Sequence, residues 1–305
     1  MSKPSLLIFA YHNVGYTCLD CLINRGESIA AVITHEDNAH EEIWFKSVKD
    51  LALKNKIPVY TPDSVNTPEW INRIRTWNPD LIFSFYYRNM IKEDILNIPR
   101  LGAFNMHGSY LPKYRGRVPI NWAIIHGEQQ TGVTLHEMVK RADAGDIIDQ
   151  EPVPIGKDET TYDVFNKVVA AARVVLDRQI DALLSGTAPR RKQDESQATY
   201  FGGRKPEDGR IDWTQSAEQI YNLIRAVTHP YPGAFTESNE KKLFIWWAKP
   251  LKEPCGKPGS IISINPLRIT AGNGSVEILK LQWEGKHEED VAKGTHGLQL
   301  GTNLK

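Results

Sequence analysis

Short apolar runs alternate with amphipathic stretches along the first half of the chain. The runs "SLLIFA", "IAAVIT", "IPVY" and "DLIFSFYY", with a further run ending at His107, have the length and continuity of buried parallel strands. Between them the spacing predicts helices over about Val14 to Arg25 and Ile43 to Asn55, and a third in "TPEWINRIRTWN". There Thr67 supplies a cap and Pro68 suits the first turn. Strands and helices in alternation predict a βαβ sheet of the Rossmann-like, mostly parallel kind. After a further helix in "VPINWAIIHGE", the stretches "TGVTLHEM" and "DIIDQEPVPI" alternate as exposed strands of a mixed sheet would. The segment "ETTYDVFNKVVAAARVVLDRQIDALLSG" reads as one long amphipathic helix stopping at Gly186.

Beyond Gly186 the pattern changes. "TAPRRKQDESQATYFGGRKPEDGR" is polar and charged, as expected of a connector crossing the surface. A helix over about Ser216 to Ala226 precedes short β-type runs, "GAFTES", "KLFIWWAKPL", "GSIISINPLRITAG" and "SVEILKLQW". Strands that short in about a hundred residues predict a small C-terminal β-barrel, OB-like in size. The expected division is a Rossmann-like α/β domain over residues 1–205 and the barrel over 206–305. In such a barrel "FIWW" is core and interface rather than a base-stacking platform.

Composition narrows the functional classes. The 305 residues carry 37 basic and 37 acidic side chains, so charge alone would not hold nucleic acid, and a small-molecule substrate is the better expectation. No stretch approaches the ~20 apolar residues of a membrane span, and the N-terminus lacks a signal-type apolar run. A cytoplasmic protein is expected. Three cysteines leave an odd number. Cys18 and Cys21 match C-x-x-C, but three-residue spacing on a helix also puts both thiols on one buried face, which is the preferred reading.

The chemistry gathers at "FNMHGSYLPKYRG". Asn105 and His107, two apart on a strand, project to one face at its carboxyl end, where ligands of parallel sheets sit. Downstream, "RADAGDII" brings Asp143 and Asp146 around Gly145. Each piece has a plainer reading: a histidine closing a turn, an aspartate bonding its own backbone. Together they permit an acyl-type transfer in which an amide meets an oxyanion, an imidazole moves the proton and a carboxylate orients the imidazole. G-x-G-x-x-G, the P-loop and G-x-S-x-G are all absent. His107, His126 and His136 show no paired ligand spacing, so no metal is expected. Arg115 and Arg117, flanking a glycine beyond the strand, suggest a cationic rim for carboxylates or phosphates.

These stretches, with "PINWAIIHGEQQTGVTLHEM", "GRIDW" and "IRAVTHPYPGAF", resemble the 10-formyltetrahydrofolate-dependent formyltransferases over nearly the whole chain. The resemblance implies a Rossmann-like catalytic domain with a C-terminal barrel, 10-formyltetrahydrofolate as formyl donor and no metal. It makes Asn105, His107 and Asp143 the catalytic residues. It places the folate against Asn89, Met90 and Ile91, against Arg117, and along Val139, Lys140, Arg141, Ala142 and Asp143. Met90 and Ile91 also suit plain packing at the start of a helix. Within the family, "FAYHNVG", "THEDN" and "FSFYYRNMI" are most similar to the branch acting on UDP-4-amino-4-deoxy-L-arabinose, which carries a UDP-glucuronate decarboxylase domain after the formyltransferase. The expected partners are thus a UDP-aminosugar and a folate, without nucleic acid or membrane. The methionyl-tRNA branch is the alternative within the family. It typically carries a basic insertion where this chain has the acidic "THEDNAHEEIW". A non-catalytic folate or nucleotide-sugar binding module is the alternative outside it.

Overall fold

The computed structural model describes residues 3–37, 42–252, 256–292 and 296–305. Fifteen strands and seven α-helices are identified among them. In the first half the order is β1 Ser5–Ala10, α1 His12–Asn24, β2 Ser28–Ile33, α2 Val48–Lys54, β3 Val59–Tyr60, α3 Pro68–Trp77, β4 Leu81–Phe85, α4 Glu93–Leu96 and β5 Ala103–His107. Then come β6 Arg115–Gly116, α5 Pro119–Ile125, β7 Gln130–Glu137, β8 Ile147–Pro154, α6 Thr161–Ser185 and β9 Tyr200–Phe201. The remainder is α7 Ala217–Val227, β10 Ala234–Ser238, β11 Lys241–Leu251, β12 Ile261–Ile264, β13 Leu267–Thr270, β14 Ser275–Trp283 and β15 Glu289–Asp290.

Two compact units result. The first consists of the described residues of Met1–Pro119, Gln130–Pro154 and Phe165–Gly202, the second of those of Ile120–Gln129, Ile155–Val164 and Gly203–Lys305.

In the first unit a seven-stranded sheet runs β3-β2-β1-β4-β5-β7-β8. The five strands β3 to β5 are parallel; β7 adds antiparallel to β5, and β8 antiparallel to β7. The Rossmann-like expectation holds: β1 and β4 are buried almost throughout because helices cover both faces of a parallel sheet. The strand in "TGVTLHEM" is not exposed, however. β7 lies between β5 and β8 and buries Thr131 to His136 without a break.

Local chemistry sets the helix ends. Thr67 Oγ1 accepts the Trp70 N–H at the start of α3, with Pro68 in the first turn, and Asn78 closes it in the left-handed conformation. Gly186 does the same after α6, at φ 73°. Helix α2 starts five residues later than its periodicity suggests. Trp44 and Phe45 pack their rings on His12 instead of joining a helical face, and Ser47 caps the helix proper. Cys18 and Cys21 are buried in α1, and Cys21 Sγ donates to Asp177 on α6 at 2.9 Å. Burial pushes the Cys21 thiol up to about 12 and the Cys18 thiol well above its ordinary value, as befits packing thiols rather than reactive ones. Cys255 lies outside the described residues.

The second unit is an antiparallel sheet in the order β10-β11-β14-β13-β12, with β15 beside β14. The C-terminal segment joins its two ends. Lys305 and Glu237 exchange backbone hydrogen bonds at 3.0 Å each, while Leu304 donates to Gly259 at 2.8 Å and Ile261 to Thr302 at 2.9 Å. A small barrel thereby closes. Leu243, Ile245, Ala248, Ile269, Val276, Ile278 and Leu281 fill it, and α7, begun by a Ser216–Gln219 capping box, packs on β11 and β14. In the "FIWW" run Trp246 is buried and stacks on His229 with ring centroids 3.8 Å apart, so its face meets a protein ring.

Candidate active site

Strand β5 delivers Asn105 and His107 to one face, as its alternation requires. Strand β7 runs antiparallel alongside and sets His136 directly opposite Asn105. Its continuation loops back over the same face, where Asp143 stands in the left-handed region at φ 55°. An L-residue with a Cβ avoids that region unless its surroundings fix it there.

Asn105, His107 and His136 converge on one carboxylate oxygen of Asp143. Asp143 Oδ1 lies 3.6 Å from His107 Nδ1, 3.4 Å from His136 Nε2 and 3.5 Å from Asn105 Nδ2. Its other oxygen accepts the Gly116 N–H at 2.8 Å. Gly116 is needed for this, because at φ 98° a Cβ would drive into the Phe201 carbonyl. Both imidazoles are anchored on their far side. His107 Nε2 lies 2.8 Å from the Tyr114 carbonyl and His136 Nδ1 2.8 Å from the Glu137 carbonyl. A carbonyl only accepts, so each of these nitrogens carries the proton of the neutral tautomer.

Burial opposes ionisation of Asp143, but the charge of His107, the hydrogen bond and charge of His136 and the Gly116 N–H outweigh it. They hold the carboxyl well below the usual carboxylate range. Such a carboxylate is a poor proton acceptor in its own right. What it does well is hold a positive imidazole beside it.

Asn105 gives its amide nitrogen to His136 Nε2 at 3.2 Å. Its approach to Asp143, at 3.5 Å, is at the limit of a hydrogen bond, which leaves one amide hydrogen weakly committed.

The loop residues expected to meet a folate lie on two neighbouring segments. Asn66 holds the 89–92 segment, donating to the Met90 carbonyl at 2.8 Å and accepting the Lys92 N–H at 2.9 Å. Lys140 reaches Glu93 at 3.7 Å, and Ile91 and Met138 belong to one apolar cluster. The segment 139–142 thus passes close to 89–93. Asn89, Met90, Val139, Lys140, Arg141 and Ala142 are exposed, Met90 and Val139 at 57% and 42%. Ile91 is buried in that cluster, so its side chain packs.

The cationic rim is reduced to one arginine. Arg117 is exposed. Arg115 is fully buried: its guanidinium pairs with Glu195 at 2.6 Å, donates to Gln193 at 2.7 and 3.1 Å, and reaches the Tyr200 hydroxyl. A guanidinium saturated in this way does not serve a ligand. Among the described residues no three His, Cys, Asp or Glu side chains are set to hold a metal ion.

The formyl transferase family profile matches residues 6–180, and the profile of its C-terminal domain matches residues 204–298. The chain belongs to the formyl transferase family. It is a formyl-transferring enzyme of two-unit build, with Asn105, His107, His136 and Asp143 all inside the first matched region. Solved structures share the fold at low identity. WlaRD, a sugar 3N-formyl transferase crystallised with dTDP and 5-N-formyl-THF, is 23% identical with a TM-score of 0.69, over 94% of this chain and 100% of its own. The N-formyltransferase of Helicobacter canadensis, solved with folinic acid and dTDP-3-aminofucose, is 23% identical with a TM-score of 0.68, over 91% and 99%. The methionyl-tRNA formyltransferase of Clostridium thermocellum is 19% identical with a TM-score of 0.56, over 81% and 93%.

His136 carries no motif of its own in the sequence. The signal that finds it is register: once β5 and β7 pair, it is the residue across from Asn105.

Proposed function

We propose that the enzyme transfers the formyl group of 10-formyltetrahydrofolate to the amine of a nucleotide-linked aminosugar. We propose further that the acceptor is UDP-4-amino-4-deoxy-L-arabinose, as in the ArnA branch of the family, which serves lipid A modification. The observation that carries the transfer chemistry is the convergence of His107, His136 and Asn105 on Asp143 Oδ1, between 3.4 and 3.6 Å. The sugar acceptor is supported by structural neighbours solved with dTDP or a dTDP-aminosugar beside a folate. The UDP-pentose is supported by "FAYHNVG" and "FSFYYRNMI".

In this reading the folate lies along the exposed Met90 and Val139, an apolar bed beside backbone polar groups that suits a flat, amide-bearing ring. Arg117 meets its glutamyl carboxylates or the acceptor's phosphates. The unprotonated sugar amine attacks the formyl carbon, and the carbonyl π pair moves onto oxygen. Asn105 turns its weakly committed N–H to that oxygen, joined by the His107 N–H that rests on the Tyr114 carbonyl. The attacking nitrogen gives up a proton, the bond from the formyl carbon to N10 breaks, and N10 gains a proton. His107, oriented by Asp143, gives N10 its proton and takes up the one that the attacking nitrogen releases. The products are the formamido sugar nucleotide and tetrahydrofolate.

The test is formyl transfer from 10-formyltetrahydrofolate to a panel of amines, followed by mass spectrometry: the UDP-aminopentose, dTDP-3-aminosugars and methionyl-tRNA. Formylation of methionyl-tRNA in preference to the sugars would move the chain to that branch. No transfer to any amine would make it a binding module.

A further inference from the structure

The connector between α6 and β9 does more than cross the surface. We infer that Gln193 is a positioning residue for Asp143, holding the turn that presents the carboxylate to the two imidazoles. This role rests on the catalytic reading of Asp143.

Gln193 Nε2 donates to two backbone carbonyls of the turn, Asp143 O at 2.8 Å and Gly145 O at 2.7 Å. Its Oε1 accepts from Arg115 Nη2 at 2.7 Å and Nε at 3.1 Å. The amide has only one orientation that works. Turned over, it would set oxygen against two carbonyls and nitrogen against a guanidinium. Arg115 cannot swing away, because it is fully buried and its remaining donors are taken by Glu195 and Tyr200.

The clamp is two-sided. Arg115 fixes Gln193 through its side chain, and the next residue, Gly116, gives its N–H to Asp143 Oδ2 at 2.8 Å. Residues 115–117 are themselves tied to the connector, since Arg115 N–H donates to Thr199 O and Arg117 N–H to Phe201 O, each at 2.9 Å. At the near end Arg191 and Ile147 exchange backbone hydrogen bonds at 2.8 and 2.9 Å. The connector therefore grips the Asp143 turn between 191 and 201. Left-handed backbone at Asp143 is sterically disfavoured and persists only where neighbours enforce it. Gln193 is the side chain that bonds the carbonyl of Asp143 itself.

The experiment combines kinetics with crystallography on the intact chain, using whichever aminosugar nucleotide the wild type turns over. Gln193→Ala is expected to lower kcat by about 10- to 100-fold, the scale of a misplacement near 1 Å, with both KM values within about threefold. Gln193→Glu does not rescue it, because a carboxylate oxygen then faces two carbonyls. In an Asp143→Ala background, Gln193→Ala costs no more than about a further twofold, since the group it positions is gone. A crystal structure of Gln193→Ala shows Asp143 Oδ2 out of hydrogen-bond range of the Gly116 N–H. Losses that multiply in the double variant, or an unmoved carboxylate with wild-type kcat, would overturn the role of Gln193. Wild-type kcat in Asp143→Ala alone would instead overturn the catalytic reading on which it rests.

Discussion

His107 and His136 turn one ring nitrogen each to the same oxygen of Asp143, at 3.6 and 3.4 Å, while backbone carbonyls fix their other nitrogens. One carboxylate oxygen therefore orients two imidazoles. His107→Ala and Asp143→Ala are each expected to lower kcat by at least about a hundredfold, the scale of general acid-base catalysis, with unchanged far-UV circular dichroism. A folded variant turning over near the wild-type rate would remove that residue from the chemistry.

Asn105→Ala is expected to lower kcat by about a hundredfold or more, as loss of an oxyanion donor does. The KM values should move little. A variant with raised KM and intact kcat would show that Asn105 only positions substrate.

His136 is almost wholly buried, and its removal leaves the Asn105 amide without its 3.2 Å acceptor. His136→Ala is expected to lower stability by about 1–3 kcal/mol, the cost of unsatisfied buried polar groups, read by urea denaturation. It should also lower kcat, because Asn105 loses the contact that orients it.

Asp143 has a folded pKa depressed below its unfolded value near 4. Its contribution to stability is thus complete above about pH 4 and is lost as pH falls from there toward the folded pKa. Asp143→Asn is expected to flatten the acid limb: below about pH 4 the wild-type Tm falls more steeply than the variant's. Parallel acid limbs would mean that the carboxylate is not stabilised in the folded protein.

Much of this was legible in the sequence, and the exceptions have a common cause. Asn105, His107 and Asp143 are chemically distinctive residues at strand ends and turns, where a linear pattern already says which way a side chain points. His136 needs the β5–β7 register, which no local pattern contains. Gln193 acts through backbone carbonyls, and those carry no sequence signature. Arg115 and Arg117 look alike in "YRGRV", yet one is fully buried against Glu195, Gln193 and Tyr200 and the other is exposed, because the partners that bury Arg115 come from eighty residues away. In the fold, the parallel strands followed from their apolar continuity. The start of α2 did not, since Trp44 and Phe45 answer to His12 rather than to helical periodicity. The closing segment of the barrel is a short stretch, "GTNLK", whose pairing is made mainly by backbone.

The central claim is formyl transfer to a nucleotide-linked amine, and direct competition between acceptors tests it. Wild-type enzyme is given 10-formyltetrahydrofolate with UDP-4-amino-4-deoxy-L-arabinose and methionyl-tRNA together, at moderate and high salt, and each product is weighed by mass spectrometry. The account predicts a formamido sugar nucleotide with equimolar tetrahydrofolate, at a rate that falls only shallowly with salt, as one pyrophosphate held by one or two arginines implies. Formylated methionyl-tRNA as the main product, formed at a rate dropping steeply with salt as many phosphate contacts would require, would contradict it.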